Sequence, residues 1–236
     1  MRPLHVLGIV LILFSPSMAA RARAQVGLSI SADSDDRFRG LSLSDGKPVV
    51  SAAIAYDHVS GAYAGASVIG VGGPESDPRL LGYIGYAGWS ARAGGGLAWD
   101  LGVTHARYTA PTRGGYAADY TEVYAGLVAD SVSARLYYSP NYLGQGGRTL
   151  YVDLAGAVRP ARRWRLFGHV GALTPLGGQA KLGGHGAYVD VRAGVAFEFK
   201  RCELRLAWTP IGPKPYYPSG YPEEGEGLVL GATYAF

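Results

Sequence analysis

Four histidines follow the first 24 residues, His58, His105, His169 and His185, and imidazole is the side chain best suited to proton transfer near neutral pH. His58 and Ser60 stand two apart. On a strand that spacing puts both on one face, where the imidazole can serve as base toward a hydroxyl nucleophile. Such a pair needs a third group to orient the histidine, and the only asparagine, Asn141, belongs to the end of another strand. His105 lies toward the end of its strand, and His169 shares a face with Arg165 and Phe167. No Cys/His cluster has metal-ligand spacing, and no carboxylate pair stands out for acid/base work. Gly70, Gly72 and Gly73, or Gly94, Gly95 and Gly96, resemble phosphate-cradling runs only in composition, because neither opens a helix. These residues imply no metal, no cofactor and no enzyme.

The elements that must position these groups begin after a leader. Arg2 supplies its charge, Leu4 to Phe14 its apolar core and Ala22-Arg23-Ala24 a small-x-small cleavage site, so residues 1–24 read as a signal peptide and 25–236 as one domain. An earlier cut after Ala20 has the same consequences. Losing Arg2, Arg21 and Arg23 reduces 22 basic residues to 19 against 18 acidic ones, a net charge of +1. The basic character therefore belongs largely to the leader, and no nucleic-acid partner follows from it. Cys202, the single cysteine, can form no internal disulfide, as suits a domain held together without staples.

Glycine makes up 36 of 236 residues, about 15% and roughly twice the usual share. With 17 tyrosines beside 6 phenylalanines, this composition suits strands far better than helices. Downstream of the leader no run of 18 apolar residues exists, so a membrane can be crossed only by a closed barrel. Alternation and turn residues predict about twelve strands, near 25–33, 48–58, 61–71, 79–88, 91–109, 119–130, 132–142, 149–159, 162–173, 186–199, 202–210 and 226–236. Short turns near 59, 89, 131, 160 and 200 alternate with longer loops at 34–47, 72–78, 110–118, 143–148, 174–185 and 211–225. That asymmetry and the even count predict an all-β, antiparallel, up-and-down transmembrane barrel in the bacterial outer membrane.

The faces agree with this reading. Leu97, Trp99, Leu101 and Val103 oppose Ala98, Asp100, Gly102 and Thr104; Val189, Val191, Val195 and Phe197 oppose Tyr188, Asp190, Arg192 and Glu198. A charge on the lipid face near the midplane costs about 2–4 kcal/mol. The predicted lumen-facing set is therefore Arg92, Asp100, Glu122, Arg135, Asp153, Arg165, Asp190, Arg192, Glu198, Glu203 and Arg205. Asp153 is expected to meet Arg135 and Arg165 across adjacent strands. Both faces of 61–71 and of 79–88 are apolar and stay unassigned. Tyr83, Tyr86, Trp89, Tyr108, Tyr116, Tyr137, Tyr138, Tyr142 and Trp164 read mostly as interfacial girdles. Tyr216, Tyr217 and Tyr221, among prolines in the last long loop, are left as candidate ligand contacts.

The terminal segment GLVLGATYAF resembles the C-terminal signal of bacterial outer-membrane barrels. Gly231, Tyr234 and Phe236 occupy the glycine and aromatic positions, and Val229 departs from the usual polar residue. The resemblance implies recognition by the outer-membrane assembly machinery, with outer-membrane lipid as the surrounding partner. The His58 and Ser60 spacing is similar to that of outer-membrane phospholipases, a resemblance weakened by the remote Asn141.

A second resemblance lies in SDDRFRGLSLSDGKPVVSAAIAYDHVSGAYAG. It is similar to the opening of an uncharacterised proteobacterial outer-membrane family with the pattern S-D-aromatic-R-aromatic-R-G, then S-D-G-x-P, then S-G-x-Y-A-G. Asp35, Arg37, Phe38, Arg39, Gly40, Asp45, Gly46 and Pro48 match in the first loop, with Ser34, Ser44, Ser60, Gly61, Tyr63, Ala64 and Gly65; Asp36 replaces an aromatic. Weaker similarity runs from LAWDLGVTHARY to the end. The resemblance implies a barrel without an assigned activity. Arg37, Phe38, Arg39 and Gly40 are expected at the outer end of the first strand, near lipid head groups or the barrel mouth. There the arginines either line a constriction that grips an anionic solute or pair with Asp33, Asp35, Asp36 or Asp45 to fix the loop.

Three function classes remain: a passive, porin-like channel for small solutes, a structural or surface-interaction barrel whose lumen is plugged by salt bridges, and a lipid-modifying enzyme. Twelve strands lie between filled eight-stranded barrels and open porins, so size alone does not choose.

Overall fold

A computed structural model describes residues 24–73, 76–109, 118–144, 147–178, 187–210 and 227–236. Twelve antiparallel strands close into a barrel: β1 (Gln25–Asp33), β4 (Val49–Asp57), β5 (Ala62–Gly73), β6 (Ser76–Gly94), β7 (Leu97–Tyr108), β8 (Ala118–Val128), β9 (Val132–Tyr142), β10 (Gly147–Ala161), β11 (Trp164–Gly178), β12 (Tyr188–Phe199), β13 (Cys202–Thr209) and β14 (Gly227–Ala235). Between β1 and β4, β2 (Arg37–Phe38) and β3 (Leu41–Ser42) form a separate small hairpin. Each barrel strand pairs with its chain neighbour, and β14 returns to β1 with Ala235 opposite Ser29 and Gly231 opposite Asp33. Closure leaves no strand edge to be satisfied.

The outward faces carry exposed Val26, Leu28 and Ile30 on β1, Trp99, Leu101 and Val103 on β7, and Leu228, Leu230, Tyr234 and Phe236 on the last strand and at its end. A continuous apolar exterior of this kind suits lipid as solvent. Around the short-turn rim, Tyr56, Trp89, Trp99, Trp164 and Phe199 also face outward, as an interfacial aromatic belt does.

Two strand boundaries differ from the sequence expectation. The turn placed near 89 lies instead at 95–96, because Gly94, Gly95 and Gly96 adopt φ of 90°, 61° and 80°. Only glycine enters that region freely, so the chain reverses there and β6 continues through Trp89. The loop expected over 72–78 is largely strand, since β5 runs to Gly73 and β6 starts at Ser76. The expected signal peptide, nearly all of it in 1–23, and the connections 110–117, 179–186 and 211–226, with Tyr116, His185, Tyr216, Tyr217 and Tyr221, lie outside the described residues.

The hydrophobic core sits inside the barrel, in the half nearest the long loops. Phe38, Leu41 and Leu43 of the first loop pack with Val49, Ile69, Val71, Leu81, Tyr108, Tyr120, Tyr142, Leu173 and Tyr188 of the wall.

Candidate functional site

The other half of the lumen is polar, and its architecture rests on glycine. Tyr63 on β5, Gly88 on β6, Gly102 on β7 and Tyr124 on β8 are successive partners across four strands. The two tyrosine rings lie over the two glycines, where any side chain would collide with them. Their hydroxyls meet at 2.6 Å, and that of Tyr63 also donates to Asp100.

Ion pairs use the same device. Asp100 and Arg135 flank Gly126, and the guanidinium reaches across it to the carboxylate at 2.7 Å. Asp33 and Arg205 flank Gly231 and meet at 2.6 Å. His169 lies 3.1 Å from Asp153 through Nδ1 and 2.7 Å from Asp190 through Nε2, beside the bed made by Gly171. The Tyr151 hydroxyl donates to Asp190 at 3.0 Å. Arg165 spans the small Ala196 to Glu203 at 2.5 Å and approaches Glu198 at 3.6 Å, while Arg159 holds Glu198 at 2.9 Å.

This corrects the expected pairing. Asp153 and Arg135 are direct cross-strand partners, yet Arg135 turns to Asp100 and Asp153 takes His169. Long side chains span two strands when the strand between presents glycine, so adjacency in sequence order is a poor guide to lumen pairing. Arg92 ends β6 beside the glycine turn and is exposed at the rim, away from the charged cluster. Arg192 lines the cavity.

The first loop is also not where it was expected. Instead of staying at the outer end of the barrel, it folds into the lumen. Phe38 and Leu41 pair across a two-residue turn in which Arg39 (φ 49°) and Gly40 (φ 83°) are both left-handed, the backbone of a type I′ hairpin. Asp35 ties the base by accepting from Arg37 at 2.6 Å, Ser42 at 2.5 Å and Ser44 at 2.8 Å. The tip carries Arg39 to Glu122 on β8 in a bidentate pair of 2.9 and 2.7 Å, the stronger geometry for this ion pair. Both side chains are buried, and the guanidinium carbon stands 3.8 Å from the ring centre of Tyr151 and 4.6 Å from that of Phe38. Phe38 stacks on Tyr120 at 5.1 Å. Asp45 and Gly46, at φ of 61° and 65°, turn the chain back toward Pro48 and β4. Asp36 has a buried carboxyl oxygen, Oδ2, without a partner. Burial, reinforced by Asp33 and Asp35, raises its pKa to about 7.

Beneath this hairpin a cavity of about 330 Å³ takes lining residues from all twelve barrel strands, among them Ser31, Tyr86, Asp100, Glu122, Arg165, Arg192 and Glu203. Several tyrosines assigned to the outer girdle line the interior instead: Tyr86 and Tyr137 line this cavity, while Tyr108 and Tyr142 join the apolar plug. Tyr83, Trp89 and Trp164 are exposed on the outside. Sequence reasoning missed Asp33, Tyr63 and Tyr124 as lumen groups; the alternation of Gly27, Ser29, Ser31 and Asp33 against Val26, Leu28 and Ile30 was the available signal for the first.

His58 and Ser60 occupy the exposed β4–β5 turn, where Nδ1 lies 2.8 Å from the serine Oγ and accepts from its main-chain N–H at 3.2 Å. Asn141 is at the opposite end of the barrel. His105 faces outward and lies 2.9 Å from Thr121 Oγ1. Among the described residues no group of His, Cys, Asp and Glu is arranged to hold a metal.

A closed twelve-stranded barrel with a polar interior is the fold of outer-membrane porins. The NanC porin superposes with a TM-score of 0.59 at 7% identity, over 88% of this chain and 98% of its own. The KdgM porin gives 0.55 at 10%, over 89% and 99%, and a KdgM structure with disordered oligogalacturonate gives 0.53 at 10%, over the same shares. At these identities the likeness is one of fold. Residues 18–212 match the family Gcw_chp, described as a bacterial protein of unknown function, and the chain belongs to that family. No protein in the curated set matches the sequence.

Proposed function

We propose that this protein is an outer-membrane channel of low conductance for small hydrophilic solutes, narrowed by its own first loop. The observation that carries this reading is the 330 Å³ cavity, walled by every barrel strand and lined by ionisable groups. Ionised groups in a low-dielectric wall remain charged only when they are paired with one another or solvated by water or a solute. The porin fold supports the reading, and oligogalacturonate held by one neighbour makes a small-molecule solute the natural partner here. Purified protein that shifts in gel mobility on boiling should give steady small conductance steps in a planar bilayer.

A second reading has its own support in the packed cluster of Phe38, Leu41 and Leu43. In it the barrel is a structural or surface-interaction protein with a plugged lumen. Heat-modifiable protein that stays electrically silent would select it and remove the channel.

The protein is read as non-enzymatic because His58 is engaged by its own turn and Asn141 cannot reach it. Fatty-acid release from phospholipid vesicles that depended on Ser60 would reverse this. The outward Tyr234 and Phe236 support engagement of outer-membrane lipid and of the assembly machinery by the last strand. Deleting Phe236 should reduce assembly while leaving export intact, and unimpaired assembly would count against that role.

A further inference from the structure

The ion pairs of the lumen leave one arginine over. Arg37 has Asp35, Arg39 has Glu122, Arg135 has Asp100, Arg165 has Glu203 and Arg205 has Asp33. Arg192 lines the same cavity and makes no ion pair or hydrogen bond among the described residues. The ring of Phe167 lies beside it, with its centre 5.8 Å from the guanidinium carbon, and the carboxylates whose charge reaches it without bonding it are Asp33, which is held by Arg205, and the buried Asp36. Phe167 in turn lies flat over Gly194 on the next strand, where a side chain would displace it. The arginine is opposite His169 in register, but His169 is held between Asp153 and Asp190 and has no acceptor to offer.

A guanidinium in a confined, low-dielectric cavity is costly unless something neutralises it, and its planar fork matches a carboxylate. A narrow charged cleft also concentrates counter-ions. We propose that Arg192 is the anion-recognition point of the lumen, binding the carboxylate of a small organic acid while Phe167 supplies an apolar face to the rest of the solute. This rests on the channel reading for its biological setting, but binding itself does not require conduction. The chemistry fits an acidic monosaccharide: one carboxylate for Arg192, one ring face for Phe167, and hydroxyls for the surrounding polar wall.

The test uses folded, heat-modifiable protein in detergent, titrated calorimetrically with D-galacturonate and with neutral D-galactose. Wild type should bind the acid at least about ten-fold more tightly than the neutral sugar. Arg192→Gln should lose that preference, whereas Arg92→Gln, changed at the rim, should keep it. Arg192→Lys should retain part of it, since a charge remains without the bidentate fork. Equal affinity for acid and neutral sugar in wild type, or an unchanged preference in Arg192→Gln, would overturn the proposal. Either outcome would leave the channel reading to stand or fall on conductance alone.

Discussion

The two halves of the lumen are built by opposite rules on the same twelve strands. Toward the long loops, the wall presents Val49, Ile69, Val71, Leu81 and Leu173, and the first loop fills the space with Phe38, Leu41 and Leu43. Toward the short turns, the wall presents Asp100, Arg135, Asp153 and Glu203, and glycines keep it open enough for tyrosines and ion pairs to lie flat. One half is packed like the core of a soluble protein and the other is a polar vestibule. The Arg39–Glu122 pair marks the boundary, with its charge shielded from water by Phe38 and Tyr151. A barrel of intermediate size need not be uniformly open or filled, because a single inserted hairpin can divide it.

The largest expected effect comes from breaking that boundary. Arg39→Met leaves Glu122 buried without its partner, a change that costs about 3–5 kcal/mol. The temperature at which the barrel loses its folded gel mobility should fall, and Arg39→Met with Glu122→Gln should recover part of the loss. An unchanged transition in the single variant would mean that the pair does not anchor the hairpin. A smaller effect is expected in the vestibule. A Cβ at Gly102 would stand 2.7 Å from the Ala87 carbonyl and overlap Tyr124, so Gly102→Val should cost about 1–3 kcal/mol as overpacking. Gly85→Ala is the control, since nothing lies within 4 Å of its added carbon. Equal stability of these two variants would refute the role assigned to the glycine beds.

A third effect is read as a pH dependence. Asp36, whose carboxyl titrates near 7 when folded, has an ordinary value of 3.8. Between these values the folded protein binds more protons at this site than the unfolded chain, so the site makes stability fall as pH rises. The fall should begin near pH 4, proceed to about 7 and level off above. Asp36→Asn should remove this component of the slope while leaving the others. A slope identical in wild type and variant would show that Asp36 is not buried as described.

The barrel was legible because a lipid exterior enforces strict alternation, and twelve strands follow from it. The first loop was not legible, because a hairpin that folds inward obeys no period; its contacts with Glu122 and Tyr120 are more than eighty residues away in the chain. A trace of it was nonetheless present. The faces of 61–71 and 79–88 resisted assignment because their inner sides are apolar too, with Ile69, Val71 and Leu81 buried against the plug. The charged lumen residues could be picked out by parity, but their partners could not. Pairing across an intervening glycine depends on register between strands, as Asp33, Gly231 and Arg205 show, and the sequence carries no direct signal for that. Gly231 therefore has a packing reason of its own within the terminal segment.

The most direct measurement compares single-channel conductance of wild type with a variant in which residues 35–46 are replaced by a short Gly-Ser linker. Asp33 and Val49 are already paired across β1 and β4, so the barrel can close without the hairpin. If the first loop is what narrows a conducting barrel, both proteins should be heat-modifiable, wild type should show small steps, and the variant should show steps several-fold larger. Equal conductance in the two folded proteins, or silence in both, would contradict the account.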